Sequence, residues 1–545
     1  MNNSIFRSIV SSLLILVVFN VNAQTDHINS GIQTENFNKD PLFGNNIFIN
    51  YRPDQDQRNI AICSAFNGWL YACYSYMINT QPYAVILRSE DKGKTWITLL
   101  DAFVSLPNNI IKKIDIIASG TEPSNIKIFL GMIIYYPSLG GSSGFVARYN
   151  GITGSFEDQI FYDPSDMLWD LSIADDNNYS ASGSNPYSIA IICSKRIFSK
   201  DSVNVYTSSN GGMSLDGHFR VTGSSKHLCN VDVSYGRSAS FPNGRYFISW
   251  EEKLNDSSRT GHLYTSHSEP NFNSPFTTPV QLDNLYPLTS NKINNPVISC
   301  QASQADNDQI ELTELVICER YDSASHRSDI VGFSNKNAVT SSGFQLISID
   351  SSTNNKVQPD LCFNSFDSTF LLTYYDSTDI RLPLLSKNFN LLNPSVWNIV
   401  SNKYNTENNL SVPHPEVVLD FAEQSAAIAW LGDQTGGNRA AMFDAQFNFP
   451  VGVKENKDKE LFVCNFYPNP ATTFIDLDFY LNEKEYVTVR VLNSLGQCLG
   501  NPFDQSCLPG INKIKLDLST YTSGFYLFTI QAGKQYKTKK IQIFR

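Results

Sequence analysis

The chain has 545 residues, of which 41% are hydrophobic, 12% aromatic and only 17% charged, with a formal net charge of −11. This length predicts two or three domains, and the composition excludes an intrinsically disordered chain. The last segment, Lys454 to Arg545, carries 12 basic and 9 acidic residues, so the acidic charge lies before it. An acidic surface repels phosphates, and we expect no nucleic-acid partner.

The first 23 residues have the pattern of a secretory signal peptide. Arg7 supplies the positive charge, an apolar run extends from about Ile9 to Phe19, and Val21-Asn22-Ala23 forms a small-residue cleavage site. The apolar run is shorter than the roughly 20 residues that a membrane span needs, which argues against an anchor. We therefore predict export, cleavage after Ala23 and no transmembrane segment in the mature chain.

A short strand motif recurs through the middle of the chain, after a leader segment at 24–45. Its last residues are separated by 60, 59, 58, 68, 52 and 58 positions. The seven copies are VILRS (85–89), FVARY (145–149), NVYTS (204–208), HLYTS (262–266), IVGFS (330–334), LPLLS (382–386) and AAMFD (440–444). A period near 59 residues over seven copies predicts a repeat architecture.

Each copy is accompanied by three further strand-like runs, and helical periodicity is almost absent. The first run often follows a proline, as in Asn295-Pro296, Gln358-Pro359 and His414-Pro415. Four short strands repeated seven times predict an all-β fold, a β-propeller of about seven blades over residues 46–450. The N-terminal strand near Asn46 to Tyr51 would complete the last blade. An array of β-sandwiches with similar spacing is the alternative.

Two turns follow marker strands in the same phase of the repeat. Residues 89–96 read SEDKGKTW, and residues 208–215 read SSNGGMSL. A side-chain oxygen at the third position can accept hydrogen bonds from turn amides, and glycine at the fifth can adopt positive φ. The residues assigned to this structural role are Ser89, Asp91, Gly93, Thr95, Trp96, Ser208, Asn210, Gly212 and Ser214.

These turns match the Asp-box pattern SxDxGxTW, and the middle of the chain resembles sialidase-like propellers with BNR repeats. The resemblance implies that Asp91 is structural and not catalytic. It also implies an arginine triad, a tyrosine nucleophile and an acidic residue if the chain were a sialidase. Arg52, in Asn50-Tyr51-Arg52-Pro53, stands where the family has its first arginine, but the motif is incomplete. Arg245, Arg320 and Arg381 lie in contexts that do not match, so we assign no catalytic residue.

The second strand of several blades ends in aromatic and charged residues. If these ends converge on one face, they would form a rim with stacking surfaces and carboxylates, suited to glycans. The candidate binding residues are Trp250, Glu251, Glu319, Arg320, Tyr374, Tyr375, Asp376, Trp430 and Asp433. The alternative is that repeated aromatic residues pack between blades.

Ten cysteines in an exported chain permit disulfides. Three pairs flank predicted hairpin turns: Cys63 and Cys73, Cys300 and Cys318, and Cys498 and Cys507. The alternative is that they are small buried apolar residues. No cysteine or histidine spacing fits a metal site, and we expect no metal and no cofactor.

A charged linker at 451–461 precedes a C-terminal domain at 462–545. Its alternating strands, with glycine and proline at the turns, indicate a small immunoglobulin-like β-sandwich. A stabilising or carbohydrate-binding module is the alternative. The residues expected to matter for sorting are Pro468, Asn469, Pro470, Gly496, Gly510 and Gly524.

With Tyr467-Pro468-Asn469-Pro470 at its start and KTKKIQIFR at its end, this domain resembles the type A sorting domain of type IX secretion in Bacteroidetes. The resemblance implies recognition by an outer-membrane translocon and a sortase, with a secreted or cell-surface product. For the whole chain we predict an exported binding protein with a glycan or another surface ligand. A glycoside hydrolase and a structural surface component are the alternatives.

Overall fold

The computed structural model divides the chain into two compact units, Met1–Asn448 and Phe449–Arg545. The predicted signal peptide, leader and linker lie outside the residues that the structure describes. The described residues are 47–50, 52, 54–164, 167–176, 187–238, 241–269, 275–284, 291–301, 312–336, 338, 343–349, 354–365, 369–377, 380–381, 383–386, 398–399, 413–421, 425–433, 437–445, 464–467, 469, 471–481, 484–493, 498–532 and 535–544.

In its described residues the first unit consists of seven antiparallel sheets, and each has four strands in its main path. The predicted all-β propeller is therefore confirmed, and every marker strand is the third strand of its sheet. The first three blades contain β2 (Arg58–Ser64), β3 (Leu70–Ile78), β4 (Gln81–Ser89) and β5 (Ile97–Phe103); β6 (Ile110–Ser119), β7 (Lys127–Tyr136), β8 (Gly141–Asn150) and β9 (Phe156–Asp163); and β10 (Met167–Asp175), β11 (Ile189–Ile197), β12 (Lys200–Ser208) and β13 (Gly217–Ser224).

The other blades follow the same order, and one short 3-10 helix, Pro123–Asn125, lies between β6 and β7. Blades four and five contain β14 (His227–Ser238), β15 (Phe241–Lys253), β16 (His262–His267) and β17 (Val280–Gln281); and β18 (Asn291–Cys300), β19 (Glu314–Asp322), β20 (Arg327–Asn335) and β21 (Gln345–Ser348). Blades six and seven contain β22 (Val357–Asn364), β23 (Thr369–Tyr375), β24 (Ile380–Arg381), β25 (Pro383–Ser386) and β26 (Asn398–Ile399); and β27 (Glu416–Asp420), β28 (Ser425–Asp433), β29 (Arg439–Ala445) and β1 (Ile47–Phe48).

The seven blades form a closed ring. The N-terminal strand β1 pairs with β29, Ile47 opposite Phe443, and so completes the seventh blade as the sequence predicts. Each first strand contacts the first strand of the next blade, including β27 against β2. Seven clusters of buried apolar side chains each lie between two neighbouring blades. Closure protects sheet edges and gives every blade two apolar partners.

The turn at 89–96 is built by its own side chains. The Asp91 carboxylate accepts the Thr95 amide at 2.8 Å and the Thr95 hydroxyl at 2.7 Å, while the Ser89 hydroxyl accepts the Gly93 amide at 2.7 Å. Gly93 has φ +81°, and a Cβ there would lie 1.9 Å from the Phe443 ring of blade seven. Trp96 meets the same ring edge-on, with centroids 5.4 Å apart.

The turn at 208–215 has the same construction on blade three. The Asn210 side-chain oxygen accepts the Met213 and Ser214 amides at 3.0 Å, and the Ser208 hydroxyl accepts the Gly212 amide at 3.0 Å. A Cβ at Gly212 would lie 2.4 Å from Phe129 of blade two. Each turn thus packs its glycine against a phenylalanine of the preceding blade in the ring, which is a structural role.

The disulfides considered from the sequence are not formed at the described positions. Cys63, Cys73, Cys300, Cys318 and Cys507 are all unpaired and buried. Cys63 lies opposite Tyr71, and Cys73 lies opposite Ala61, so these two cysteines are offset in register. The turn predicted between Cys300 and Cys318 falls on residues that lie outside the described ones. These cysteines act as small apolar residues, in agreement with the alternative.

The second unit is a two-sheet sandwich. A three-stranded sheet contains β30 (Cys464–Tyr467), β31 (Phe474–Leu481) and β34 (Gly510–Asp517), and a four-stranded sheet contains β33 (Cys498–Cys507), β32 (Glu485–Leu492), β35 (Gly524–Ala532) and β36 (Gln535–Ile543). Alternate residues of both sheets form one core. Cys498 and Cys507 are the two ends of the single strand β33, so the hairpin predicted between them is wrong.

One sorting-motif residue fixes the last strand of the sandwich. The Asn469 side-chain amide donates to the Lys540 carbonyl at 3.0 Å, and its oxygen accepts the Gln542 amide at 2.9 Å. Gly510 begins β34 with φ +103°, a conformation that favours glycine, and Gly524 begins β35. Pro468, Pro470 and Gly496 lie outside the described residues.

No helix long and apolar enough to cross a membrane occurs in the part of the chain that the structure describes.

Candidate functional site: the central channel

The first strands of all seven blades line a central channel with a volume of about 680 Å³. This volume falls in the range of pockets that take a small organic ligand or a short oligosaccharide. Its lining includes six carboxylate residues and two lysines and, among the described residues, no arginine. The channel is thus a polar, acidic site placed where the blades meet.

We call the end of the channel at which the first strands begin its mouth. Six of these strands, β2, β6, β10, β14, β18 and β22, shift register against the second strand near their start, as in a β-bulge. Five lining residues there have positive φ, and we call them the mouth ring: Asn59 (53°), Asn230 (49°), Asn295 (47°), Gln358 (57°) and His414 (41°). Polar residues of five blades thus lie at the same end of the channel, and four of them belong to bulged first strands.

Hydrogen bonds connect members of the mouth ring across blades. The Asn230 amide donates to the Asn295 side-chain oxygen at 3.1 Å, and the His414 backbone amide donates to the Gln358 side-chain oxygen at 3.1 Å. The Asn59 amide donates to the Ile111 carbonyl of the next blade at 3.0 Å. These bonds hold the polar groups in fixed positions, so a ligand would meet a preorganised surface.

Two predicted binding residues, Glu251 and Glu319, lie outside the channel and accept hydrogen bonds from residues of the mouth ring. Glu251 accepts the Asn230 amide at 2.7 Å, and Glu319 accepts the Asn295 amide at 2.7 Å and the Gln358 backbone amide at 2.9 Å. Both are buried, and neither lines the channel. Burial raises the pKa of Glu251 to about 7, although the Lys253 charge opposes the shift.

Trp169 contributes an aromatic surface to the channel lining on blade three. Its ring is half-buried, the Arg196 guanidinium lies 4.8 Å from its centroid, and the His227 ring meets it edge-on at 4.6 Å. The indole nitrogen finds no hydrogen-bond partner among the described residues. A buried indole N–H usually has a partner, so this donor is an exception, and what Trp169 offers to the channel is the surface of its ring.

A tier of aspartates inside the channel joins neighbouring blades. Four carboxylates accept the backbone amide of the next first strand: Asp115 from Ile173 at 2.8 Å, Asp170 from Val231 at 2.8 Å, Asp232 from Ile298 at 2.8 Å and Asp360 from Val417 at 2.6 Å. The Lys113 ammonium pairs with Asp170 at 2.7 Å. Each aspartate satisfies an amide on the first strand of the next blade, which is an edge strand of its sheet.

The crowded carboxylates have raised pKa values. Burial raises the pKa of Asp232 to about 7 and that of Asp360 to about 6. Burial, followed by the charges of Asp360 and Asp115, raises the pKa of Glu416 well above its usual range. Burial lowers the pKa of Lys113, but the Asp170 charge outweighs that effect and raises it. The carboxyl groups of Asp232, Asp360 and Glu416 therefore lose their protons at a higher pH than ordinary carboxyl groups do.

Three of the four aromatic residues predicted for a binding rim lie in the core. Trp250, Tyr374 and Trp430 are each 1% exposed and belong to apolar clusters between blades. Trp250 stacks on Tyr264, with centroids 5.7 Å apart. These rings pack between blades, as the alternative describes, and they present no face to a ligand.

The remaining predicted residues are divided between core and surface. Asp376 is buried, while Arg320, Tyr375 and Asp433 are partly exposed. Arg320 pairs with Asp329 at 3.1 Å. None of these four residues is part of the channel lining.

The arginines considered for a sialidase triad do not meet in the channel. Arg52 pairs with Asp101 of the outer strand β5 at 3.3 Å, and Arg245 is buried beside His267. The Arg381 side chain lies outside the described residues. No group of three or more metal-ligating side chains is arranged for an ion in the described parts of the chain.

One sequence signal marks the channel mouth, although the predicted binding residues do not include it. Asn295, Gln358 and His414 each precede a proline at the start of a first strand. Proline disfavours the helical region for the residue before it, and here that residue adopts positive φ and faces the channel. Trp169 and the aspartate tier carry no comparable local pattern.

Comparison with known families identifies the C-terminal unit. Residues 465–544 match the family described as the secretion system C-terminal sorting domain. The C-terminal unit is a type IX sorting domain. The protein is accordingly delivered by the type IX secretion system and is secreted or displayed at the cell surface. No curated protein matches the chain.

The chain is also similar to several solved structures. One is a protein of unknown function from Dyadobacter fermentans, at 11% identity over 73% of this chain and 97% of that chain (TM-score 0.41). Others are the α-L-arabinofuranosidase of Fusarium graminearum, at 11% over 74% and 98% (TM-score 0.41), and the α-L-arabinanase of Penicillium chrysogenum, at 12% over 74% and 98% (TM-score 0.38). Similarities this remote do not bear on what the protein binds.

Proposed function

We propose that the sorting-domain protein is a glycan-binding propeller that takes a sugar unit into the mouth of its central channel. The observation that carries the proposal is the mouth itself, where five polar residues and one indole surround a cavity of about 680 Å³. Amide, imidazole and carboxylate groups suit the many hydroxyls of a sugar, and an indole face suits its C–H surface. The two box turns favour a propeller of the sialidase-like class, with its binding face away from those turns.

The test begins with a glycan array probed with the secreted protein and continues with Trp169→Ala. For the glycan that binds best, we expect Trp169→Ala to weaken binding by about 2 kcal/mol, or roughly 30-fold in Kd, as for other buried aromatic anchors. Titration calorimetry measures this difference.

Phe198→Ala is the matched control, because Phe198 is 79% exposed on the same blade and does not line the channel. It is expected to leave Kd unchanged. Binding that is equally strong in Trp169→Ala and the wild type would place the ligand elsewhere and refute the proposed site.

A glycoside hydrolase is the second candidate, favoured by one observation. Asp360 and Glu416 belong to the neighbouring strands β22 and β27, and their mutual repulsion adds to burial in raising the pKa of Glu416. One protonated and one ionised carboxyl group is the state that acid–base cleavage of a glycosidic bond requires.

If the protein hydrolyses the glycan that it binds, Glu416→Gln should lower kcat by about 10²–10⁴-fold while KM changes little. Release of reducing ends from that glycan measures both constants. An intact glycan after prolonged incubation with the wild-type protein would rule out this candidate and leave binding as the function.

A further inference from the structure

A second cavity of about 440 Å³ lies between blades four and five, and we call it the rim pocket. Its lining includes Lys226, Glu252, Leu254, Arg259 and Tyr321. The chain segment between β15 and β16 forms one wall, and the end of β19 forms the other. The pocket is not part of the channel lining.

The rim pocket and the channel mouth are on the same side of the blades. Lys253, at the end of β15, donates to the Asn294 side chain at 3.2 Å, and Asn294 precedes Asn295 of the mouth ring. The Gly261 amide donates to the Ile293 carbonyl at 3.0 Å, which ties the wall of the pocket to strand β18. A ligand longer than one sugar unit that leaves the mouth over blade five would therefore approach the rim pocket.

Arg259 is the group that gives this pocket a specific chemistry. Its guanidinium lies over the Tyr321 ring, 4.0 Å from the centroid, a stacking that holds the planar group in place. Lys226 is already paired with Glu252 at 2.7 Å, and no ion pair joins Arg259 to a carboxylate among the described residues. A stacked guanidinium with unused N–H groups is suited to a bidentate contact with an anionic oxygen pair.

The two cavities have opposite preferences for charge. The channel lining has six carboxyl groups, two lysines and, among the described residues, no arginine, so it favours a neutral group over an anionic one. The rim pocket has Arg259 and Lys226 against the single carboxylate Glu252. Leu254, which is 75% exposed, adds an apolar surface beside these cations. An acidic ligand would thus place its neutral part in the mouth and its charged group at Arg259.

We propose that the rim pocket binds the carboxylate or sulfate group of an acidic glycan whose neutral sugar occupies the channel mouth. This inference rests on the proposed glycan-binding function and names the class of glycan. Carboxylate and sulfate groups both present a pair of anionic oxygens, so the experiment separates them.

The test uses the secreted protein with three oligosaccharides of equal length, namely an oligouronate, a sulfated oligosaccharide and an uncharged one. We expect at least one acidic ligand to bind about tenfold more tightly than the uncharged one, with a preference that weakens as salt increases. Arg259→Gln should abolish this preference and leave the affinity for the uncharged ligand unchanged. Lys94→Gln, at an exposed lysine on the box turn at 89–96, is the control and should preserve the preference.

Three results would overturn the inference. A preference that survives Arg259→Gln would place the acidic group elsewhere. Equal affinity of the wild-type protein for charged and uncharged ligands would refute the rim pocket alone, because binding in the mouth would remain. Failure to bind any of the three, or any glycan of the array, would refute the glycan-binding function together with this inference.

Discussion

A chain that ends before residue 465 is expected to remain in the periplasm. The sorting domain at 465–544 is the signal by which the type IX system exports its substrates, and it forms a compact unit separate from the propeller. Removing it should leave the propeller folded but reduce the secreted or surface-bound protein from most of the total to none that is detectable. Immunoblots of periplasm, cell surface and medium measure the distribution.

Asn469→Ala is expected to weaken the sorting domain without removing it. The substitution removes both hydrogen bonds that hold β36 and is expected to cost about 1–3 kcal/mol in the stability of the sandwich. Secretion should fall only partly, while protease resistance of the periplasmic propeller shows that the first unit stays folded. If the chain that ends before residue 465 were exported as efficiently as the full-length protein, the assignment of the sorting domain would be contradicted.

The propeller is expected to be more stable at mildly acidic pH than at alkaline pH. Burial raises the pKa of Asp232 and Glu251 to about 7 and that of Glu314 to about 8. A folded-state pKa above the unfolded value contributes stability at low pH that is lost as the pH rises through the folded pKa. We therefore expect Tm to be about 3–6 °C higher at pH 5.5 than at pH 8.5.

Stability should fall again at low pH. Burial acts to raise the pKa of Asp56, but the hydrogen bonds from Arg439 and Arg58 outweigh burial and lower this pKa to about 2. The pKa of Asp201 is also lowered, because hydrogen bonds from His227 and Arg196 outweigh its burial. The stability that Asp56 and Asp201 contribute is fully present above the pKa of each carboxyl group in the unfolded chain. It is lost as the pH falls through the lower pKa of the folded protein. Stability is thus expected to be greatest near pH 5, as calorimetry across the range would show.

Glu314→Gln tests the contribution of one buried carboxyl group whose pKa is raised. Glu314 is 2% exposed, and its carboxylate accepts the Thr265 hydroxyl at 2.6 Å, a bond that the glutamine oxygen can also accept. Because the buried charge is removed, we expect the variant to be more stable than wild type at pH 9, by about 2–4 kcal/mol, and equal to it at pH 5. Asp54→Asn, at an exposed carboxylate, is the control. A Glu314→Gln effect of the same size at both pH values would contradict burial as its cause.

The fold could be predicted because each blade repeats one pattern. The third strand of a blade is buried by both neighbours, so a short apolar strand recurs in the sequence with a period near 59. The turn at 89–96 was equally predictable, because the bonds of Asp91 and the positive φ of Gly93 follow from local residue chemistry. Local rules suffice for these features.

Prediction fails where a local signal has two physical explanations. The sequence predicts a turn between Cys498 and Cys507, but Pro502 in this segment lies within β33, an edge strand, between residues 500 and 503, where the register against β32 shifts. Proline is tolerated at such a bulge on an edge. The strand-end aromatic residue Trp250 suggests a rim, but sequence position does not show which side of a strand faces a neighbouring blade.

The channel site was not predictable from the sequence because it exists only in the closed ring. Asp115 and Asp360 are separated by 245 residues, yet both belong to the same acidic lining. Trp169 has no motif around it, and its place in the channel follows from the bulge in β10. The polar residues before Pro296, Pro359 and Pro415 were the accessible signal.

The most direct test of glycan binding in the channel mouth is a crystal structure of the secreted protein with the glycan that the array selects. We predict a sugar ring against the Trp169 indole, with hydroxyl groups bonded to the mouth ring at Asn230 and Asn295. A ligand seated on the outer surface of the blades, with the channel mouth empty, would contradict this prediction.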